Sequence, residues 1–345
     1  MGVAFKGFGK SFAYQLIKTT SNPFIGLFIG LLATSLVQSS STITSIVVGM
    51  VGSGVLTIAN AIPIIMGANI GTTVTNTLVS LGHITRKEEF KRAVSGATVH
   101  DFFNIICVLI IFPLELTTHF LQKSALLLSN LFAQCGGIKF SSPLKIATKP
   151  LIHFLKDTLL SFKVPHLATY ILLLLIAVIL LFFSLYFIVG IMRSLIVRRA
   201  EIVLNNVIGK GILGIIAGFL FTTLVQSSSI TTSLLVPLVA SGIMTVETIF
   251  PITLGANIGT TTTAILASLA TGNFSAITAA FIHFLFNFVG VFFIYPIKIF
   301  RKIPINLAKK LGELAFRRRR YIIIYVLSVF FALPGILILI STIFK

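Results

Sequence analysis

Apolar residues run through this chain in long blocks, with polar positions gathered into short clusters between them. Leu167 to Met192 and Tyr321 to Phe344 are uninterrupted, and each is long enough to cross a hydrocarbon core of about 30 Å as a helix, which needs about 20 residues. Ser275 to Ile297 is a third such stretch, with His283 its notable polar residue, and Ala93 to Leu114 a fourth, containing His100 and Asp101. Other apolar segments are short or interrupted. Pro23 to Val37 ends on Gln38-Ser39-Ser40-Ser41 and is followed by a second short segment that reaches Val51 before Gly52-Ser53-Gly54, which predicts a re-entrant helical hairpin over 23–52. Val55 to Leu81 is long enough to cross once, but Gly67, Asn69 and Gly71 interrupt it and predict an unwound stretch in a broken helix over 55–82. Irregular backbone at membrane depth is tolerated only where protein or a watery cavity surrounds it.

The same pattern returns later in the chain. At an offset of 188 residues Thr34 to Thr75 aligns without a gap on Thr222 to Thr263, so that Gln38-Ser39-Ser40-Ser41 meets Gln226-Ser227-Ser228-Ser229 and Pro63 meets Pro251. The run from Gly67 to Thr73 falls on Gly255 to Thr261. After a five-residue indel His100, Phe103, Asn104 and Pro113 fall on His283, Phe286, Asn287 and Pro296. Identical spacing between two different motifs marks an internal duplication. Copy one is read as residues 1–115, ending in a span over 93–115. Copy two, 167–300, holds a span at 167–192, a hairpin at 207–242, a broken helix at 243–270 and a span at 275–297. Three crossings separate the hairpins, and an odd number inverts the second copy. The expected fold class is therefore an all-α polytopic membrane protein of two inverted-topology repeats, each with a re-entrant hairpin and a broken transmembrane helix. Paired interrupted segments at corresponding positions are the strongest sequence pointer to a transporter's binding site.

Composition agrees: 56% of residues are hydrophobic, 10% are charged and the mean hydropathy is +1.05, outside the range of soluble domains. The excess of 27 Lys and Arg over 8 Asp and Glu falls between apolar segments and not in a basic domain, which argues for positive-inside loops and against nucleic acid. Segments 83–92, 193–210 and 301–320 are the expected cytoplasmic basic loops, with a final span at 321–344 and an extracellular linker at 116–166. That linker carries its own lysines, including Lys139, Lys145, Lys149, Lys156 and Lys163, but long loops weigh little in the charge rule. Cys107 and Cys135 suggest neither a metal site nor a disulfide, and residues 1–22 lack the pattern of a cleaved leader.

Hydroxyl, amide and carbonyl oxygens suit a small alkali cation, whereas hydroxyls and helix N-terminal N–H groups suit an oxyanion. Ser39, Ser40 and Ser41 begin one half-helix and Ser227, Ser228 and Ser229 another, so the free N–H ends of both are candidates to face an anion, flanked by Gln38 and Gln226. The interrupted segments add Asn69, Thr72, Thr73, Asn257, Thr260, Thr261 and Thr263, and the following spans add Asn104 and Asn287. Asp101, whose counterpart is Phe284, is an acidic group inside an apolar span, either a sodium ligand or a proton-titrating site. His100 and His283 fit packing and hydrogen bonding better than metal ligation. No HExxH, GxSxG or Walker lysine occurs, so an enzyme is not expected, nor any cofactor beyond a coupling ion.

At these residues the chain resembles the type II sodium-phosphate cotransporters. The likeness rests on both Gln-Ser-Ser-Ser motifs, on Pro63 to Thr72, on Gly96 to Asp101 and on Gly255 to Thr263. It implies phosphate held between the serine motifs, with sodium near Gln38, Gln226, Thr260 and Thr263. It also implies that Asp101 matches the aspartate associated with the extra sodium of electrogenic members. The expected function is a plasma-membrane sodium:phosphate symporter, with a carrier of another oxyanion or a passive anion channel as alternatives. Some members have serine where Ala256 stands, and members begin with a transmembrane helix before the first hairpin, so Met1 is expected to be an internal start of a longer protein.

Overall fold

A computed structural model of the chain describes residues 9–134 and 211–343 continuously, and residues 4, 150, 152–155, 157–159, 161, 165, 167–180, 183 and 187 besides. The basic segment 193–210, most of the linker past Gln134 and the end of the 167–192 span lie outside the described residues. Every regular element among the described residues is helical. Helix α1 (Gly9–Thr19) meets α2 (Pro23–Val37) at a bend of 101°. The bend is set by Asn22, which caps α2 by accepting the Phe24 N–H, and by Pro23 in the first turn, where its missing N–H costs nothing. Next come α3 (Ser40–Ser53), α4 (Ile58–Gly71), α5 (Val74–Ser80), α6 (Lys87–Thr118) and α7 (Phe120–Phe132). Helix α8 (Leu167–Leu180) precedes the second set. That set is α9 (Gly211–Val225), α10 (Ser228–Ala240), α11 (Val246–Thr271) and α12 (Phe274–Ile294). Helix α13 (Lys298–Arg317) leads into α14 (Arg320–Val326), which continues through a π-helical turn, Leu327–Ala332, into α15 (Leu333–Ile343).

Among the described residues five stretches are long and apolar enough to cross a membrane: Ile58–His83, Lys87–Thr118, Val246–Thr271, Phe274–Ile294 and Arg320–Ser341. The chain is thus a multi-pass helical membrane protein. Helices α2 and α9 have 15 residues each, so at 1.5 Å per residue each reaches only about 22 Å.

The glycines do not unwind the helices they sit in. Helix α4 runs unbroken through Gly67 and Asn69 to Gly71, and the irregularity comes after it, a turn at Thr72-Thr73 whose backbone stays in the right-handed helical region. In copy two α11 has no break at all. The expected unwound stretches at 55–82 and 243–270 are corrected accordingly, and packing supplies the reason. A Cβ at Gly67 would lie 1.9 Å from the Leu27 carbonyl oxygen, and one at Gly30 would lie 2.0 Å from that of Ile64. Helix α2 therefore lies backbone to backbone on α4. The counterpart pair repeats this contact, with a Cβ at Gly255 1.9 Å from the Ile215 oxygen and one at Gly218 2.0 Å from that of Ile252.

The two copies also interlock. Helix α3 of the first packs on α11 and α12 of the second, while α10 of the second packs on α5 and α6 of the first. Their shared apolar core takes in Val47, Ile65, Phe103, Leu235, Phe250 and Phe286. Segment 301–320 is not the expected loop. It is mostly α13, whose buried Ile305, Ala308, Gly312 and Ala315 recur at helical spacing and pack on α6, with Lys91 paired to Glu313. The Lys91 ammonium holds the exposed Glu313 carboxyl below its usual range.

Candidate binding site

Each Gln-Ser-Ser-Ser motif forms the turn between two short helices. Gln38 closes α2 in the left-handed conformation at φ 56°, with its N–H on the Thr34 carbonyl, and Gln226 does the same after α9 at φ 58° on Thr222. Ser39 and Ser227 then cap α3 and α10, their Oγ atoms accepting from the Thr42 and Ile230 N–H groups at 3.2 and 3.4 Å. The first serine of each motif is thereby committed to its own helix. Ser40 and Ser228 are buried, and their carbonyls accept from the hydroxyls of Thr44 and Thr232 one turn on.

The third serines reach across the molecule. Ser41 Oγ donates to the Gln226 carbonyl oxygen at 3.3 Å, and Ser229 Oγ lies 3.3 Å from Thr72 Oγ1. Both motif turns and the Thr72-Thr73 turn therefore meet at one place. Gln226 is held there, its Oε1 accepting from Thr263 Oγ1 at 2.7 Å and its amide nitrogen 3.4 Å from Thr262 Oγ1. Gln38 by contrast is exposed. Thr73, Thr260 and Thr261 donate their hydroxyl hydrogens to their own helix, to Ile70, Ala256 and Ile258. A hydroxyl so committed presents only lone pairs to its surroundings, the chemistry of a cation ligand.

Behind the turns lies a buried amide chain. His100 Nε2 is 3.2 Å from Asn257 Oδ1, Asn257 Nδ2 donates to Asn104 Oδ1 at 2.7 Å, and Asn104 Nδ2 donates to the Asn69 carbonyl at 2.8 Å. Since Asn257 Oδ1 can only accept, His100 is the donor. Asn287 is not joined to this chain and bonds the His283 carbonyl of its own helix.

Asp101 is fully buried, and no hydrogen bond ties it to either serine motif among the described residues. One carboxylate oxygen accepts from Thr77 Oγ1 at 3.2 Å and from the Tyr325 hydroxyl at 3.1 Å. The other oxygen has no partner among the described residues. Thr77, Tyr325 and Asn76, the last accepting from Thr232 and Ser233, lay outside the expected residue set. Thr77 and Asn76 follow the threonine pair on the next turn and were within reach of the pattern. Tyr325 sits in the last span, where nothing in the sequence marks it.

These features define a class: a multi-pass helical membrane protein whose polar residues converge on two equivalent turns between short helices. The chain belongs to the Na+/Pi-cotransporter family, whose sequence profile matches residues 4–136 and 180–295. It is 35% identical over 422 aligned positions to sodium-dependent phosphate transport protein 2B of Homo sapiens, covering 96% of this chain and 61% of that protein. Against sodium-dependent phosphate transport protein 2A of Rattus norvegicus identity is 36% over 390 positions, covering 93% and 61%. The chain therefore spans about three fifths of these curated relatives' length. No solved structure matches it significantly.

Proposed function

We propose that this chain is a sodium-coupled symporter of inorganic phosphate, working by alternating access in the plasma membrane. The reading takes its two copies as inverted repeats, each with a re-entrant hairpin, α2–α3 and α9–α10, and takes the basic segments 83–92, 193–210 and 301–320 as cytoplasmic. Support comes from family membership, from the relatives' names and above all from one observation: Ser41 and Ser229 bring the two motif turns and Thr72 to a single point. There the N-termini of α3 and α10 offer N–H groups to an anion, with Ser40, Ser228 and Ser229 as hydroxyl donors, and Ser41 joins them by giving up its bond to the Gln226 carbonyl.

The sodium requirement follows from charge. No lysine or arginine occurs in residues 19–85 or 211–297, the segments that carry both motifs. A phosphate dianion entering a site of low dielectric without a cationic side chain needs co-bound cations to offset its desolvation. Gln226, Thr263, Thr73, Thr260 and Thr261 are the proposed oxygen ligands, with Gln38 their counterpart on the other side. The Asp101 carboxyl, with Thr77 and Tyr325 and beside Thr73, is assigned to a further sodium. Uptake of radiolabelled phosphate into proteoliposomes tests the reading, with sulfate as competitor. Gradient-dependent uptake that sulfate does not inhibit is expected.

A further inference from the structure

The two copies share many polar residues at equivalent positions, yet these do not make the same bonds. Some asymmetry is written in the sequence: Asn76 accepts from Thr232 and Ser233 where its counterpart Ala264 cannot, and Gln226 has Thr262 at 3.4 Å where Gln38 has Val74. Identical residues with different bonds call for another cause. Thr263 Oγ1 donates to Gln226 at 2.7 Å, whereas the counterpart Thr75 Oγ1 is buried with no partner among the described residues and Gln38 is exposed. His100 reaches Asn257, and Asn257 reaches Asn104, at 3.2 and 2.7 Å. The mirrored set is His283, Asn69 and Asn287. There the Asn69 and Asn287 amides fold back on Ile65 and His283 of their own helices. Both ring nitrogens of His283 and Oδ1 of Asn287 are buried without a partner among the described residues.

Both differences have the same sense. Helix α11 of copy two is joined to its motif turn and to α6, while the equivalent α4–α5 of copy one is joined to neither counterpart. We propose that the two sets are alternatives. In the state seen here Gln226–Thr263 and His100–Asn257–Asn104 are joined, and in a second state Gln38 joins Thr75 while His283 joins Asn69 and Asn69 joins Asn287. His100 and His283 are then positioning residues that select which repeat is engaged. Leaving a buried donor or acceptor unpaired is costly, and each state leaves one set unpaired while pairing its mirror image. The costs nearly cancel, which keeps two conformations close enough in free energy for a carrier to visit both. The inference rests on the alternating-access reading but not on the identity of the cargo.

The test uses the full chain with Cys107→Ala and Cys135→Ala in proteoliposomes, without phosphate or a sodium gradient. Two cysteine pairs, Gln38→Cys with Thr75→Cys and Gln226→Cys with Thr263→Cys, are bridged by a short bifunctional thiol reagent. His100→Leu removes the donor of the joined set, so it should speed cross-linking of the 38/75 pair and slow that of 226/263, each by about threefold or more. His283→Leu should do the reverse, and His100→Gln and His283→Gln, which keep a donor of similar reach, should return the rates to within about twofold of the parent. Where a leucine variant does not fold, His100→Asn and His283→Asn must still move the pairs in opposite directions. Rates that move together for both histidines, or that do not move, overturn the exchange. That outcome leaves the symport reading standing, and a failure of sodium-driven uptake leaves this result unaffected.

Discussion

Single side chains divide here into those that cap their own helix and those that reach across to the other copy. Ser39 and Ser227 are helix caps, so alanine there should cost about 1 kcal/mol of stability, read as a lowered melting temperature in detergent. Ser41 and Ser229 instead bridge the copies. Losing one hydroxyl from a charged phosphate should raise its apparent KM roughly tenfold in Ser41→Ala and Ser229→Ala, with folding retained. Equal KM values would remove these serines from the site. Asp101→Gly should lower the charge moved per phosphate, measured by electrophysiology alongside isotope uptake, and unchanged charge would end that assignment. The motif residues were legible because duplication set them apart from ordinary capping serines. Division of labour within each motif was not, since which of three serines caps the helix depends on where α3 and α10 begin. Tyr325 was illegible because its partner Asp101 stands 224 positions away.

Helices show where a sequence signal has two physical meanings. Glycine permits unwinding and also permits close approach, and residue order alone does not separate them. The fold resolves the matter for Gly67 and Gly255, whose missing side chains let α2 lie on α4 and α9 on α11. An added methyl would overlap a backbone carbonyl that cannot swing aside. Gly67→Ala and Gly255→Ala should each destabilise by about 2 kcal/mol or more, seen as a lower midpoint in thermal unfolding. A variant as stable as the parent would restore unwinding as the explanation. Segment 301–320 was misread for the opposite reason: its charge concealed the recurrence of Ile305, Ala308, Gly312 and Ala315 that buries α13 on α6.

Across the whole molecule, the duplication was plain in the sequence and reappears as an interlocked pair of helix sets. Sequence alone gives only part of the inequality of the copies, at Asn76 and Ala264 or Thr262 and Val74, because identical residues carry no record of which conformation they occupy. On the proposed exchange, His100 paired and His283 unpaired belong to the state of the molecule, whereas the difference between Gln226 and Gln38 is written in part in Thr262 and its counterpart Val74. Charge ties this arrangement to the proposed transport. Without a cationic side chain in the segments that carry the motifs, a phosphate dianion bound as proposed would depend on helix N-termini, hydroxyls and co-transported cations. The most direct measurement is radiolabelled phosphate uptake into sealed proteoliposomes with an inward sodium gradient, compared with an equal potassium gradient. Concentrative uptake with sodium alone is the predicted result; equal uptake under both would contradict sodium-coupled transport.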